Sequence, residues 1–218
     1  MPSVQHSLAA DCKRQSRDAQ STKLKLINAA LNAFTTQGYD ASSTRGIENA
    51  AGIKRGLINY HFGSKAALWK ASADHLMSIT EQDLGAAVKE VENLEESQRL
   101  RALVRAYVTF CAERPELNRL MIQEGMTADW RLEWLLDRSV RPWYRQVCKV
   151  FKHAKTLGLA PQMDPHHFYY VLTGAATLIF SNAAEAEALS GRNPLDSVAV
   201  AAHAEAVADL FTLVEKSR

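Results

Sequence analysis

Apolar residues recur at three- and four-residue steps along almost the whole chain, and strict alternation occurs almost nowhere. That period lines up side chains on one helical face, so the sequence is constrained to an all-α fold before any motif is considered. Leu24, Ile27, Leu31 and Phe34 make the first stripe, and Gly38 offers its stop. Ser42-Ser43-Thr44 supplies capping hydroxyls for a short second helix expected to bury Ile47, Ala50 and Ala51. Gly52-Ile53 turns the chain into a third helix expected from about Lys54 to Phe62, and Gly63-Ser64 recaps it into a longer one beginning near Lys65. Pro115-Glu116 then opens a helix that Gly125 interrupts near its end. A long helical segment follows from about Ala128 to Leu157, closed by Gly158 to Pro161. Asp164-Pro165 pairs a capping side chain with proline at the first helical position. Gly191 and Pro194 separate that helix from a last one, marked by Val200, His203, Val207, Leu210 and Val214.

A length of 218 residues suits one domain or two small ones, and 47% hydrophobic against 23% charged residues is the balance of a packed chain. Cys12, Cys111 and Cys148 lie too far apart for a zinc ribbon or a disulfide framework, which points to a reducing cytoplasm. The first twenty residues lack the apolar run of a signal peptide and read as a flexible basic arm. Pro165 to Ala184 is free of Asp, Glu, Lys and Arg. It includes His166, His167, Thr173, Thr177, Ser181 and Asn182 and has no flanking basic cluster, so it reads as a buried helix and not a membrane span. The net charge of +2 conceals an asymmetry: residues 1–70 hold ten Lys/Arg against four Asp/Glu, and the remainder sixteen against twenty. A basic N-terminal part suits nucleic acid, although Lys13, Arg14 and Arg17 in the arm supply part of the excess.

The stretch STRGIENAAGIKRGLINYHFGSK, Ser43 to Lys65, outlines a helix-turn-helix. In that motif the first helix braces against the DNA backbone and the second presents its N-terminal half to the major groove. Thr44, Tyr60 and His61 are able to donate to phosphate oxygens, as are free N–H groups at the helix starts. Arg45, Lys54, Arg55 and Asn59 are the types that reach base edges, Arg favouring guanine and Asn adenine. Ile58 and Phe62, four apart, are expected in the core; Arg55 and Asn59, also four apart, are expected to share a different face. Gly56 removes a side chain where the backbone nears the groove. The alternative is a plain helical hairpin with a basic exposed face.

Within Leu24 to Leu68, one set of residues stands at a distinctive spacing: Ala29-Ala30, Phe34, Gly38-Tyr39, Ser43-Thr44-Arg45, Ile47, Ala50-Ala51-Gly52, Tyr60-His61-Phe62 and Ser64-Lys65. This pattern resembles the N-terminal DNA-binding domain of the tetracycline-repressor (TetR) family, and AAGIKRGLINYHFGSK is its most specific run. The rest of the chain resembles the family in length, helical pattern and the segment PELNRLMIQEG. The resemblance implies that Arg45, Arg55, Gly56, Leu57 and Asn59 lie near bases, and Thr44, Tyr60, His61 and Lys65 at phosphates. Lys54 stands where the family commonly has serine, Leu57 where it has threonine and Asn59 where it has tyrosine. An exposed leucine suits a thymine methyl and asparagine an adenine edge, so these departures alter the expected operator and not the expectation of DNA binding. The organisation implied is a flexible basic arm over residues 1–20, a TetR-type helix-turn-helix domain over 21–66 and a larger helical effector-binding and dimerisation domain over 67–218.

Other constellations are less specific. His166 and His167 beside Asp164 suggest a metal, but adjacent helical residues diverge by about a hundred degrees, so a helix-start role is favoured and no metal is expected. No Ser-His-Asp order, GxSxG, P-loop or GxGxxG is present, and neither an enzyme activity nor a cofactor is expected. Tyr107, Phe110, Met121, Met126, Trp130, Trp134, Trp143, Tyr144, Phe168 and Tyr169 fit either a packed core or the wall of a ligand pocket. The alanines and glycines of the last two long helices fit either simple helix propensity or a close-packed homodimer interface. The leading expectation is a ligand-responsive repressor, released from a palindromic double-stranded operator by a small apolar or aromatic effector and independent of membranes. The rivals are a DNA-binding dimer without effector and, further off, a helical enzyme or carrier.

Overall fold

The computed structural model describes the backbone of residues 3–212 and the side chains of residues 18–212. Lys13, Arg14, Arg17 and Val214 therefore lie outside the described side chains. Eleven α-helices follow one another among the described residues, with no β-strand: α1 (Ser3–Gln37), α2 (Thr44–Ala50), α3 (Leu57–Phe62), α4 (Lys65–Val91), α5 (Glu96–Glu113), α6 (Pro115–Gly125), α7 (Trp130–Leu135), α8 (Arg141–Thr156), α9 (Pro165–Ser181), α10 (Ala183–Ser190) and α11 (Ser197–Phe211). The chain divides into two compact units, Met1–Leu76 and Met77–Arg218, with the division inside α4.

In the first unit α1 is continuous from Ser3, where the sequence suggests a flexible arm. Between Ser3 and Gln37 there is no glycine or proline, and good helix formers such as alanine, lysine and glutamine abound. Its buried line is Leu26, Ala30 and Phe34, one turn apart, while Leu24 is 46% exposed and Ile27 and Leu31 are half-buried. Ala30 is the reason the expected stripe is displaced: a small residue carries little hydrophobic weight in a sequence, yet it marks where another helix comes close. Ile47, Ile58, Leu68, Trp69, Ala73 and Leu76 are buried in the same unit. On the seven-residue α2, Ala50 is exposed and the buried place beside Ile47 goes to Glu48.

The second unit packs around Leu100, Val104, Val108, Phe151, Phe168, Leu172, Phe180, Val207 and Phe211. Phe151 and Phe168 stack with ring centres 3.9 Å apart, and Phe211 meets Phe168 edge-on at 5.0 Å. Arg101 on α5 ties α11 alongside it through Glu205 at 2.5 Å and Asp209 at 2.6 Å. Between α6 and α7, Arg131 binds Glu124 at 2.6 Å and Asp129 at 2.9 Å, with the first two side chains almost wholly buried. Such a pair survives burial because each charge is met by opposite charge at hydrogen-bonding distance.

The long helical segment expected from about Ala128 to Leu157 is interrupted by a wider π turn, Leu136–Val140, joining α7 to α8. Pro142 supplies the reason. Its ring has no N–H for the carbonyl of Arg138 and would strike that carbonyl in a regular helix. The chain widens instead, and the Arg141 N–H bonds Leu136 five residues back. The apolar stretch from Pro165 also ends sooner than its composition suggests, because α9 stops at Ser181 and Asn182 breaks it from α10. No helix among the described residues is long and apolar enough to cross a membrane.

Candidate nucleic-acid interface and ligand cavity

Two short helices form the candidate interface, and each is fixed at its start by a side-chain oxygen. Ser43 Oγ accepts from the Gly46 N–H at 3.0 Å at the head of α2. The head of α3 is held differently. The Glu48 carboxylate, 4% exposed, reaches across from α2 and one oxygen accepts from both the Gly56 and the Ile58 N–H at 2.9 Å. A six-residue helix has almost no internal hydrogen bonds and four orphan donors at its start, so a buried anion on two of them sets its position. Gly56 caps α3 with φ of +92°, a left-handed conformation that residues with a Cβ adopt only under strain. Ser64 Oγ repeats the device for α4, accepting from the Ala67 N–H at 3.1 Å. Glu48 was not singled out from the sequence; the one signal for it is its place next to Ile47 on a helix too short to cap the next one by itself.

Thr44, Arg45, Lys54, Arg55, Gly56, Asn59 and Tyr60 are all exposed, Tyr60 to 80%. Among the described residues none accepts a hydrogen bond from, or pairs with, the side chain of Arg45, Lys54, Arg55 or Asn59. The third helix starts at Leu57 and not near Lys54, because Gly56 breaks the helical path. Arg55 therefore sits in the turn, and the expected common face with Asn59 does not exist as a helical face. Leu57, expected to be exposed, is half-buried, as are Phe62, His61 and Lys65. Ile58 is fully buried. The Tyr60 and His61 rings meet edge-on at 4.9 Å, and the Lys65 ammonium lies 4.2 Å above the Tyr39 ring, which orients it.

Within the second unit lies a cavity of about 450 Å³. One wall is a face of α4 that includes Met77, Thr80, Glu81, Leu84, Gly85 and Val88. The others come from Tyr107 and Phe110 on α5, Met121 on α6, Ser139 and Val140 in the π turn, Pro142, Trp143 and Gln146 on α8, and Tyr169 on α9. A smaller void of about 80 Å³ shares Leu84, Val88, Tyr107 and Trp143 with it and continues to Phe168 and Leu172. Of the ten aromatic and methionine candidates, the cavity brings together Tyr107, Phe110, Met121, Trp143 and Tyr169, and Phe168 lines the smaller void. The rest are elsewhere. Met126 lies past the end of α6 and is 83% exposed; Trp130 begins α7, with Arg131 over its ring. Trp134 is half-buried on α7, outside the cavity wall. Tyr144 turns to another side of α8, its hydroxyl 3.3 Å from His166 Nδ1. The α4 wall carries no aromatic residue, so nothing in the sequence drew notice to it.

Burial shapes the chemistry of the cavity. It pushes the Tyr107 phenol well above its ordinary value, helped by the neighbouring Cys111 and Tyr169. It likewise pushes Tyr169 up to about 12, and the Cys111 thiol up to about 12 against the hydrogen bonds of Tyr107 and Asn118. At neutral pH all three are uncharged. At the start of α9, Asp164 accepts from the His166 N–H at 2.7 Å, the capping role expected there. No cluster of three or more His, Cys, Asp or Glu among the described residues is placed to hold a metal ion. On α9 and α11, Tyr170, Val171, Leu178, Val198 and Leu210 are apolar and exposed.

Residues 26–71 match the family model described as bacterial regulatory proteins of the tetR family, and residues 97–211 match that of the tetracyclin repressor-like C-terminal domain. The chain is similar to the HTH-type transcriptional regulator SrpR of Pseudomonas putida, at 22% identity over 68% of each chain. It is 38% identical to the regulator TtgR of Pseudomonas putida over 64 residues, 29% of this chain and 30% of that one. Among solved structures, AibR in complex with isovaleryl coenzyme A and operator DNA superposes with a TM-score of 0.71. The match is 16% identical and covers 88% of this chain and 98% of that one, so the likeness is one of fold.

Proposed function

The chain belongs to the TetR family of bacterial transcriptional regulators, and on that premise we propose that it is a ligand-responsive repressor, not an enzyme, binding a palindromic operator as a homodimer. The observation that carries this reading is the capped α3: its exposed Asn59 and Tyr60, with Arg45, Lys54 and Arg55 on the preceding segments, are cationic or hydrogen-bonding groups whose side chains have no hydrogen-bond or ion-pair partner among the described residues. Arg55 and Asn59 would read base edges, and Thr44, Tyr60, His61 and Lys65 would hold phosphates. The exposed apolar faces of α9 and α11 support pairing of two copies. A two-fold dimer places two recognition helices about 34–36 Å apart, the rise of one DNA turn. The cavity supports an effector that favours a conformation with another spacing, and its effect is limited by its differential affinity for the two conformations.

The test is to sequence the DNA fragments retained by the purified chain and footprint the strongest. A protected palindrome with half-sites one turn apart is expected, with Asn59→Ala relaxing preference at one base position in each half. Retention of DNA without sequence preference by a folded sample would overturn the operator reading.

A further inference from the structure

We propose that the cavity takes an uncharged, largely aromatic ligand whose oxygen is bound by the Tyr169 hydroxyl, and that it discriminates against anions. The inference rests on the reading of the second unit as the effector-binding part and names the chemistry of the effector.

Shape and lining come first. A volume of about 450 Å³ is that of a small-molecule site. Tyr107 and Trp143, their ring centres 6.0 Å apart and tilted by 35°, make an aromatic wall against which a flat ring can lie. Charge comes next. The ionisable side chains at the cavity besides its phenols are Glu81, Lys89 and Glu92. Arg138 already binds Glu81 at 2.6 Å; Lys89 near the end of α4 and Glu92 just past it are exposed. No cation lines the cavity interior, and carboxylates outnumber the one lysine at its edge. An anion entering would lose hydration and meet a single exposed lysine, Lys89, set against two carboxylates. The raised phenols are further evidence of an interior that disfavours charge.

Hydrogen bonding narrows the class. Both phenols are neutral donors, but they are not equally available: Tyr107 lies against the Cys111 thiol, whereas the Tyr169 hydroxyl has no hydrogen-bond partner among the described residues. Its ring is fixed edge-on to Tyr144 at 5.0 Å, so the hydroxyl is held in place before any ligand arrives. A ketone, ether or hydroxyl oxygen on an aromatic frame satisfies this donor. A hydrocarbon leaves it unpaired.

The experiment uses the full chain, free of DNA, and three naphthalene probes substituted at the same ring position: the methyl ketone, the ethyl compound and the carboxylate. Calorimetric titration gives the affinities of the wild type and of Tyr169→Phe. The ketone is expected to bind the wild type at least about tenfold more tightly than the carboxylate. The ratio of ketone to ethyl affinity is expected to fall about tenfold in Tyr169→Phe, with ethyl binding unchanged as the internal control for folding. Equal or tighter binding of the carboxylate overturns the inference. So does a Tyr169→Phe change that weakens ketone and ethyl compound alike, or the absence of binding by all three. Operator binding by the same preparations separates this from the reading beneath it. A chain that binds its operator yet prefers the carboxylate remains a regulator with a different effector, and one that binds the ketone but no DNA loses the regulator reading alone.

Discussion

The first unit holds its short helices by their ends, whereas the second holds long helices by their sides. In the first, Ser43, Glu48 and Ser64 accept hydrogen bonds from the opening turns of α2, α3 and α4, and α3 buries one side chain completely, Ile58. In the second, stacked Phe151 and Phe168 and the ion pairs of Arg101 join helices along their lengths. A six-residue helix has too little surface for packing alone to fix it, so its position comes from hydrogen bonds to its backbone. Helices of fifteen or more residues have contact area to spare. That surplus is what lets the second unit keep a gap of about 450 Å³ in an interior that would ordinarily close-pack.

The contrast can be broken where packing is greatest. Phe151→Ala should destabilise the second unit by about 3–5 kcal/mol in denaturant unfolding, because it removes half of a fully buried stack. A loss below about 1 kcal/mol would mean that the stack is dispensable. Alkaline titration comes next. Tyr169 titrates near 10.0 when unfolded and near 12 when folded, so the folded state keeps a proton that the unfolded state releases. The associated stability is complete below pH 10.0 and is lost as pH rises through about 12. Two units correspond to about 2–3 kcal/mol, and Tyr107 and Cys111 act in the same direction. Tyr169→Phe should flatten that part of the pH profile; an unchanged profile would show that Tyr169 is not the group responsible.

Smaller effects sharpen the other side of the comparison. Glu48→Ala leaves the Gly56 and Ile58 N–H groups without their acceptor, which should cost about 1–3 kcal/mol and weaken binding to every DNA sequence. Glu48→Gln retains an accepting oxygen and should lose less of both. If the alanine variant bound DNA as the wild type does, α3 would be positioned by something else. Lys65→Ala is expected to show least, a reduction of about one in the slope of log affinity against log salt with base preference unchanged. A changed base preference would move Lys65 from phosphate to base edge.

The same contrast explains what the sequence disclosed. Glycines and hydroxyls at helix ends are legible because few other residues do their work, so Ser43, Gly38, Gly63 and Asp164 stand at the boundaries they suggest. Arg55 misled because a residue two before the first helical position still keeps i, i+4 spacing with Asn59 on paper, and only the +92° φ of Gly56 removes it from the helix. The cavity was half legible. Tyr107, Trp143 and Tyr169 stood out as aromatic, while the α4 wall of Leu84, Gly85 and Val88 looks like any amphipathic helix. Pro142 is a proline inside a helical pattern, and the π turn it causes was there to be read.

The grip of Glu48 on α3 has a consequence for how such a protein changes its target. Because the carboxylate holds N–H groups of the main chain, the support of α3 is indifferent to the identity of the side chains proposed to read DNA. Lys54, Arg55 and Asn59 can be exchanged singly or together while the scaffold beneath them stays put. On the proposed reading, selection or an engineer would draw new operator preferences from the same frame by rewriting three solvent-facing positions, without first re-solving how the helix is docked.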